Sequence, residues 1–356
     1  MKVLVVGCGS VGKRHIRNFL QLKAEVCAVD SREDRLDEVR KLGVANCFHN
    51  VEEVFQKGLK PKAAVIATPP KFHISQASNL LDHGCDVLIE KPLAKDLDGV
   101  DEVIEKAKRL NKLIMTGYTY RFWKPLIFMK RLLGDEKIGK PLSARISFDE
   151  YLPDWHPWEK YQHFYMASED LGGGALLDSS HALDIARWFF GEVKALCGTY
   201  RRISRLEIET DDFVEVLMEF ENNVVCSAHM DLVSRAHGRD MNIIGEEGNL
   251  FWDFHKNEVR LYDANTKKWE TFAFQDERNE MFVSELSVVE FPDGARDENF
   301  RGCLKKMKQV IVSKRLKEIQ NQISKAESTG DLDLVTSLIQ SYQELLASSK
   351  AFEKSI

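Results

Sequence analysis

Two short groups of residues carry side chains able to move a proton and hold an oxygen. The first is Glu90-Lys91-Pro92, which closes the run Asp86-Val87-Leu88-Ile89 and sets a lysine where a buried strand ends. Ligands of parallel sheets gather at the carboxyl ends of strands. An ammonium there can grip a hydroxyl or carbonyl oxygen and shift its pKa when desolvated. The second group is Asp178, His181 and Asp184, within LGGGALLDSSHALDIARWFFG at 171–191. Residues three apart on a helix share a face, so either carboxylate could bond one imidazole nitrogen and raise the basicity of the other. That describes a general base with an orienter. A surface lysine at a turn, and a histidine pinned between helix carboxylates for structure, are the plain alternatives that residue types alone leave open.

The elements that must position these groups begin at the amino terminus. Val3-Leu4-Val5-Val6 is a continuous apolar run, the pattern of a strand buried on both faces of a parallel sheet. Gly7-Cys8-Gly9-Ser10-Val11-Gly12 follows at once, and Val11, Ile16, Phe19 and Leu20 then recur at helical spacing. A G-x-G-x-x-G between strand and helix is the dinucleotide fingerprint. Its glycines make the turn and admit a pyrophosphate to the positive helix start. Gly7, Gly9, Ser10, Val11 and Gly12 are therefore the expected cradle. The next strand, 25–29, ends in Asp30, placed to accept from the adenosine ribose hydroxyls. Its charge repels a 2′-phosphate and so favours NAD, while Arg32, two residues on, partly offsets it and leaves NADP possible.

Strands at 63–67, 86–89 and 113–115 alternate with helices at about 73–83 and 97–110, which makes a doubly wound α/β domain. After Gly117 the pattern changes. A helix at about 124–133 is followed by strand-like runs at 143–148, 193–200, 213–220, 224–231 and 239–244, several separated by tight turns. They read as an open, mostly antiparallel sheet. The expected fold is thus α/β and then α+β: a Rossmann domain at 1–118, an α+β domain at 119–286, and a tail at 287–356.

The set GCGSVGKRH at 7–15, ATPPKFH at 67–73 and EKP at 90–92 resembles the glucose-fructose oxidoreductase, inositol dehydrogenase and rhizopine catabolism family. The G-G-G-x-L-x-D at 172–178 followed by H-x-x-D at 181–184 is similar to that family's second-domain motif. Members commonly space the acid and histidine by four residues, whereas Asp178 and His181 are three apart. The resemblance implies that Lys91 contacts substrate beside the nicotinamide. It also implies that Thr68, Pro69, His73 and Glu90 line the cofactor cleft and that His181 acts as base with Asp178. Tyr118, Arg121, Trp155 and Asp184 are expected against substrate, Trp155 within an aromatic-rich stretch at 151–158 suited to stacking on a sugar ring. The implied activity is hydride transfer between NAD(P) and a secondary alcohol or ketone of a sugar, cyclitol or sugar nucleotide, in a homodimer or homotetramer. Two other functions stay open: glycoside cleavage or elimination through transient oxidation, and a non-catalytic nucleotide-binding adaptor.

Composition is that of an ordinary soluble globular protein. The chain has 356 residues, 44% hydrophobic and 30% charged, with a formal charge of −6 that asks for neither nucleic acid nor an anionic membrane. Seven scattered cysteines without a C-x-x-C indicate neither a disulfide framework nor a zinc site, and fit a cytoplasmic setting. No signal peptide or membrane span is expected. His156, His163 and His181 lack metal-ligand spacing, and no metal is expected. The family pattern is expected to fail near Leu286. Beyond it, helical patterns at 303–328 and about 331–350 suggest a hairpin, and the stretch at 303–335 looks similar to the helical carboxyl terminus of bacterial DNA primase. A divergent ending, a fusion and foreign sequence all fit, and the partner of such a tail is not specified.

Overall fold

The computed structural model describes residues 1–155, 159–274 and fourteen positions between 319 and 343. The chain divides into two compact units, 1–282 and 283–356.

The first sheet has six parallel strands: β1 (Lys2–Val6), β2 (Glu25–Val29), β3 (Asn46–Phe48), β4 (Ala63–Ile66), β5 (Asp86–Ile89) and β6 (Ile114–Thr116), in the order β3-β2-β1-β4-β5-β6. Helices α1 (Ser10–Gln21), α2 (Glu33–Lys41), α3 (Val51–Gln56), α4 (His73–Asp82) and α5 (Val100–Arg109) form the crossovers. The apolar runs are buried as their composition requires, with Val3, Leu4 and Val5 fully enclosed. Strand order reverses between β1 and β4, and such a switch point opens a crevice at the strands' carboxyl ends. Gly7, Asp30, Thr68, Glu90 and Gly117 all follow strands at that edge.

Helix α6 (Lys124–Gly134) leads into the second sheet, formed by β7 (Pro141–Tyr151), β8 (Val193–Arg201), β9 (Phe213–Phe220), β10 (Val225–Asp231), β11 (Val233–Gly245), β12 (Gly248–Asp253), β13 (Glu258–Asp263) and β14 (Lys268–Ala273). Its order is β14-β13-β12-β11-β7-β10-β9-β8, and β7 with β10 is the parallel pair in an otherwise antiparallel ladder. Between β7 and β8 lie α7 (Ala175–Asp178) and α8 (His181–Phe190). Period-two alternation sends Ala144, Ile146 and Phe148 of β7 into the core with Trp252 and Met230. Ser147 and Asp149 take the opposite face. Helix α8 packs on β7 and β10, and α6 on β12 and β13.

The structure corrects several boundaries. β7 and β11 run well past the apolar cores at 143–148 and 239–244, because backbone pairing continues from Arg239 opposite Phe148 to Gly238 opposite Asp149 and, across a bulge, to Val233 opposite Tyr151. Strands β12 to β14 are additional, and the edge strand β14 is largely exposed, which weakens its apolar pattern. The helix expected to carry Asp178 and His181 together is interrupted at Ser179-Ser180, leaving one residue at the end of a single turn and the other at the start of the next helix. In the tail, the described residues at 319–320, 322–324, 326, 334–335 and 338–343 are helical, and Gln320 Nε2 donates to Tyr342 Oη at 3.2 Å. The rest of the expected hairpin, and with it most of the primase-like stretch at 303–335, lies outside the described residues.

Candidate active site

The fingerprint loop is shaped by close backbone approach. Gly7 has φ +93°, and a Cβ on it would lie 2.6 Å from the Ala67 carbonyl oxygen, while one on Gly12 would lie 1.8 Å from the Gly7 oxygen. A side chain at either position would push helix α1 off β1 and β4. A Cβ on Gly9 would meet nothing within 4 Å, so the space in front of the α1 amino terminus is open. The first-turn amides of Ser10, Val11 and Gly12 have no acceptor within their own helix, which suits a pyrophosphate.

Asp30 is buried at the end of β2. Its Oδ2 accepts from the Cys8 amide at 2.7 Å and its Oδ1 from the Arg32 amide at 2.9 Å, which ties the carboxylate to the glycine loop. The Arg32 guanidinium turns to Asp34, at 3.0 and 2.5 Å, and acts on Asp30 only by its charge, without a side-chain bond. Arg35, whose Nη1 stands 3.6 Å from Asp30 Oδ2, is the nearby cation. It lies in the first turn of α2, a position that the short count from Asp30 to Arg32 passed over. These residues fit NAD: glycine amides for the pyrophosphate and a fixed carboxylate for the ribose.

At the other end of the crevice, Glu90 and Lys91 follow β5 and precede a cis Lys91–Pro92 peptide. Glu90 Oε1 meets His15 Nε2 of α1 at 2.6 Å, and both side chains are nearly enclosed. Burial pushes the Glu90 carboxyl up, but the bond and charge of His15, with Lys91, outweigh it and hold its pKa below the usual value. Lys91 Nζ donates to the Asp178 backbone oxygen at 2.7 Å and to its Oδ1 at 2.8 Å. Tyr165 Oη donates to the same Oδ1 at 2.7 Å. Burial, with the neighbouring Asp178 charge, raises the Tyr165 pKa well above its ordinary value, so this phenol stays a donor.

Glycines bring Asp178 to Lys91. Gly172 has φ +82°, and a Cβ on it would lie 2.6 Å from Lys95 Cβ and 2.9 Å from Pro70 Cβ. The Leu171–Gly174 loop therefore presses directly on the loops that follow β4 and β5. The Lys71 amide donates to the Leu171 oxygen at 3.3 Å, and Lys71 Nζ pairs with Asp170 at 2.5 Å. Asp211 then starts α7 by accepting the Leu176 amide at 2.8 Å.

The carboxylate that spacing assigned to His181 is thus held by Lys91 and Tyr165. Asp184 is likewise engaged with Arg121, whose Nε and Nη2 reach its two oxygens at 2.6 to 3.1 Å. The interruption at Ser179-Ser180 explains the first case, since the shared helix face assumed for Asp178 and His181 does not exist. His181 is 9% exposed at the start of α8 and sits among rings: Tyr120 at 4.7 Å, Tyr118 at 5.6 Å and Phe148 at 6.4 Å between centroids. Tyr118 Oη also reaches Ser180 Oγ at 3.5 Å.

The remaining expected residues divide. Thr68 Oγ1 donates to Gln76 Oε1 at 2.7 Å, and Pro69 opens the short 3₁₀ turn before α4. His73 is 1% exposed, with Nε2 at 2.8 Å from the Thr68 oxygen and Nδ1 at 2.9 Å from the Pro92 oxygen. It is a clasp between the two cleft loops, enclosed from any ligand, and burial lowers its pKa despite the carbonyl bonds. Trp155 packs against the core of the second sheet. Residues 156–158 of its aromatic stretch lie outside the described residues. Sequence reasoning missed Tyr165, Arg35 and the His15 partnership, although His15 stands in the quoted glycine motif.

Residues 1–118 match the oxidoreductase-family, NAD-binding Rossmann-fold domain, and residues 127–251 match the GFO/IDH/MocA C-terminal domain. The scyllo-inositol 2-dehydrogenase (NAD(+)) of Bacillus subtilis (strain 168) is 25% identical over 88% of this chain and 89% of its own length. That share exceeds what residues 1–286 hold, so likeness to this relative runs into the tail, beyond the expected limit near Leu286. The 2,7-anhydro-N-acetylneuraminate hydratase of Mediterraneibacter gnavus (strain ATCC 29149 / DSM 114966 / JCM 6515 / VPI C7-9) is 28% identical over 46% of this chain and 43% of its own. A solved levoglucosan dehydrogenase, in complex with NADH, is similar in fold with a TM-score of 0.71 at 19% identity, covering 80% of this chain and 87% of that one. Among the described residues no helix is long and apolar enough to cross a membrane.

Proposed function

The chain belongs to the GFO/IDH/MocA family of NAD-binding oxidoreductases, and from that premise we propose that it interconverts a secondary alcohol and a ketone on a sugar, cyclitol or sugar nucleotide. The observation that supports this most is the bonding of Lys91 Nζ to Asp178 at 2.7 and 2.8 Å, at the strand edge that also carries the glycine cradle. Two of the three ammonium donors are fixed on Asp178, which leaves the third to bind a substrate oxygen. His181 takes the hydroxyl proton, and Lys91 holds the oxygen as negative charge develops on it. Such preorganised stabilisation is commonly the largest catalytic term. Asp178 acts as the anchor of Lys91, itself steadied by the Tyr165 hydroxyl. The amides of 10–12 and Asp30 would hold NAD, which when bound would supply the acceptor for the hydride that leaves the carbinol carbon. The proton and hydride lost together convert the alcohol to the ketone.

The test is to add a panel of sugars, cyclitols and nucleotide sugars to the NAD⁺-loaded protein while following nicotinamide absorbance and product mass. Reduced nicotinamide with one compound, and loss of that signal in Lys91→Ala, is the expected result. A second reading, transient oxidation with no net redox, is favoured by the relative named as a hydratase. It would appear as a changed sugar mass with unchanged absorbance. Dinucleotide binding with neither signal would favour an adaptor.

A further inference from the structure

Behind His181, on the core side of the second sheet, lies a charged pair that the proposed chemistry does not use. Glu150, at the end of β7, and Arg239, on β11, form an ion pair with side-chain exposures of only 4% and 10%. Arg239 Nη1 donates to Tyr120 Oη at 2.7 Å. Tyr120 is 2% exposed, and its ring stands edge-on to His181 at 4.7 Å. The Arg239 guanidinium also lies 5.4 Å from the ring of Phe148, another of the rings around His181, and 5.2 Å from that of Phe254. His237 Nε2 approaches the same Glu150 carboxylate at 3.5 Å.

Stability gives little reason for such a pair. Desolvating two charges costs several kcal/mol for each ion, and apolar residues of similar volume often serve a core as well or better. What an ion pair supplies that apolar packing does not is direction, because the guanidinium donors are rigid and planar. Here that direction is delivered to the phenol and the ring that flank one imidazole. Proton transfer depends on that placement, since a misplacement of about 1 Å can cost on the order of a hundredfold in rate.

We propose that Glu150, Arg239 and Tyr120 form a positioning line that sets the orientation of the His181 ring, a role that rests on His181 being the base. None of the three is a catalytic residue; each acts through the next. Tyr120→Phe removes the hydroxyl that receives Arg239 and keeps the ring. The paired change Glu150→Gln with Arg239→Met removes both charges together, so that neither is left buried alone.

The experiment reads the histidine side chains by long-range ¹H–¹⁵N spectra of the NAD⁺-loaded protein across pH, with the His181 signal assigned by its loss in His181→Gln. Turnover, KM and melting temperature are measured on the substrate that the panel identifies. Tyr120→Phe is expected to move the His181 signals and their titration midpoint while those of His229 stay in place. It should lower kcat about tenfold, leave KM within about twofold, and enlarge the solvent deuterium isotope effect. The double variant should do the same, more strongly. Unmoved His181 signals in folded Tyr120→Phe overturn the positioning line, whatever the activity. Moved signals with unchanged kcat and isotope effect overturn its role in catalysis. If His181→Gln itself keeps full turnover, the base assignment is what fails, and the spectra still decide whether the line orients the ring.

Discussion

Two clusters of titratable groups can be set side by side. One joins His15, Glu90, Lys91, Asp178 and Tyr165 in the crevice. The other joins Asp149, Glu215, His229 and Asp231 on the outer face of the second sheet. In the second, His229 Nδ1 meets Glu215 at 2.7 Å, and its Nε2 lies 3.0 Å from Asp231 and 3.7 Å from Asp149. Ser147 and Ser234 hydroxyls donate to the two aspartates at 2.5 and 2.6 Å. The hydrogen bond to Asp231, with further help from Glu215 and Asp149, raises the His229 pKa to about 9 despite burial. Donor atoms of Asp149, His229 and Asp231 come within 4.8 Å of one another, the closeness a metal would need, yet an imidazolium already answers these carboxylates.

The sheet cluster is built from neighbours across strands and closes on itself. The crevice cluster is assembled from α1, the loop after β5, α7 and the 3₁₀ turn of Tyr165, at the strand edge that also carries the glycine cradle. A crowd of ionisable groups therefore does not make a reactive site. On the proposed chemistry, a lysine anchored on Asp178 with a donor left over for substrate does.

The contrast breaks if both clusters answer mutation alike. The largest difference is expected for Lys91→Ala, which should lower turnover by about two to three orders of magnitude and change NAD affinity little; equal turnover removes Lys91 from the mechanism. Tyr165→Phe should follow, with turnover down about tenfold, since Asp178 loses one of its two described side-chain partners. In the sheet cluster, His229→Gln should leave turnover at the parental level and reduce unfolding free energy in denaturant titration. A shift from 6.5 to about 9 sets an upper scale for that loss, on the order of 3 kcal/mol. The smallest effect is one of pH. Because the folded pKa lies above the ordinary one, the stabilisation is complete below about pH 6.5 and disappears as pH rises through about 9. Melting temperature should fall across that window and fall less in His229→Gln; a parallel decline in both proteins would remove His229 as the cause.

The sequence made some of this legible and hid the rest for physical reasons. Glycines 7, 9 and 12, Asp30 and Lys91 were readable because a strand, a turn and a helix follow one another without a gap. The Asp178–Lys91 bond was not, since 87 residues separate the partners and the assumed helix is interrupted between Asp178 and His181. Tyr165 lies in a 3₁₀ turn whose periodicity is too short to register. Sequence distance points to Arg32 alone, while the local geometry turns its guanidinium toward Asp34 and brings Arg35 toward Asp30.

The parallel pairing of β7 with β10 also fixes an order of events while the chain is being made. β7 ends at Tyr151, and its parallel neighbour begins at Val225, so residues 152–224 must be translated before that edge can close. At about 5–20 residues per second, the delay is on the order of several seconds. The six strands through Thr116 precede this interval and can pair as they emerge. Ala144, Ile146 and Phe148 meanwhile wait without their sheet partners, and an apolar strand left unpaired in this way is open to misassembly.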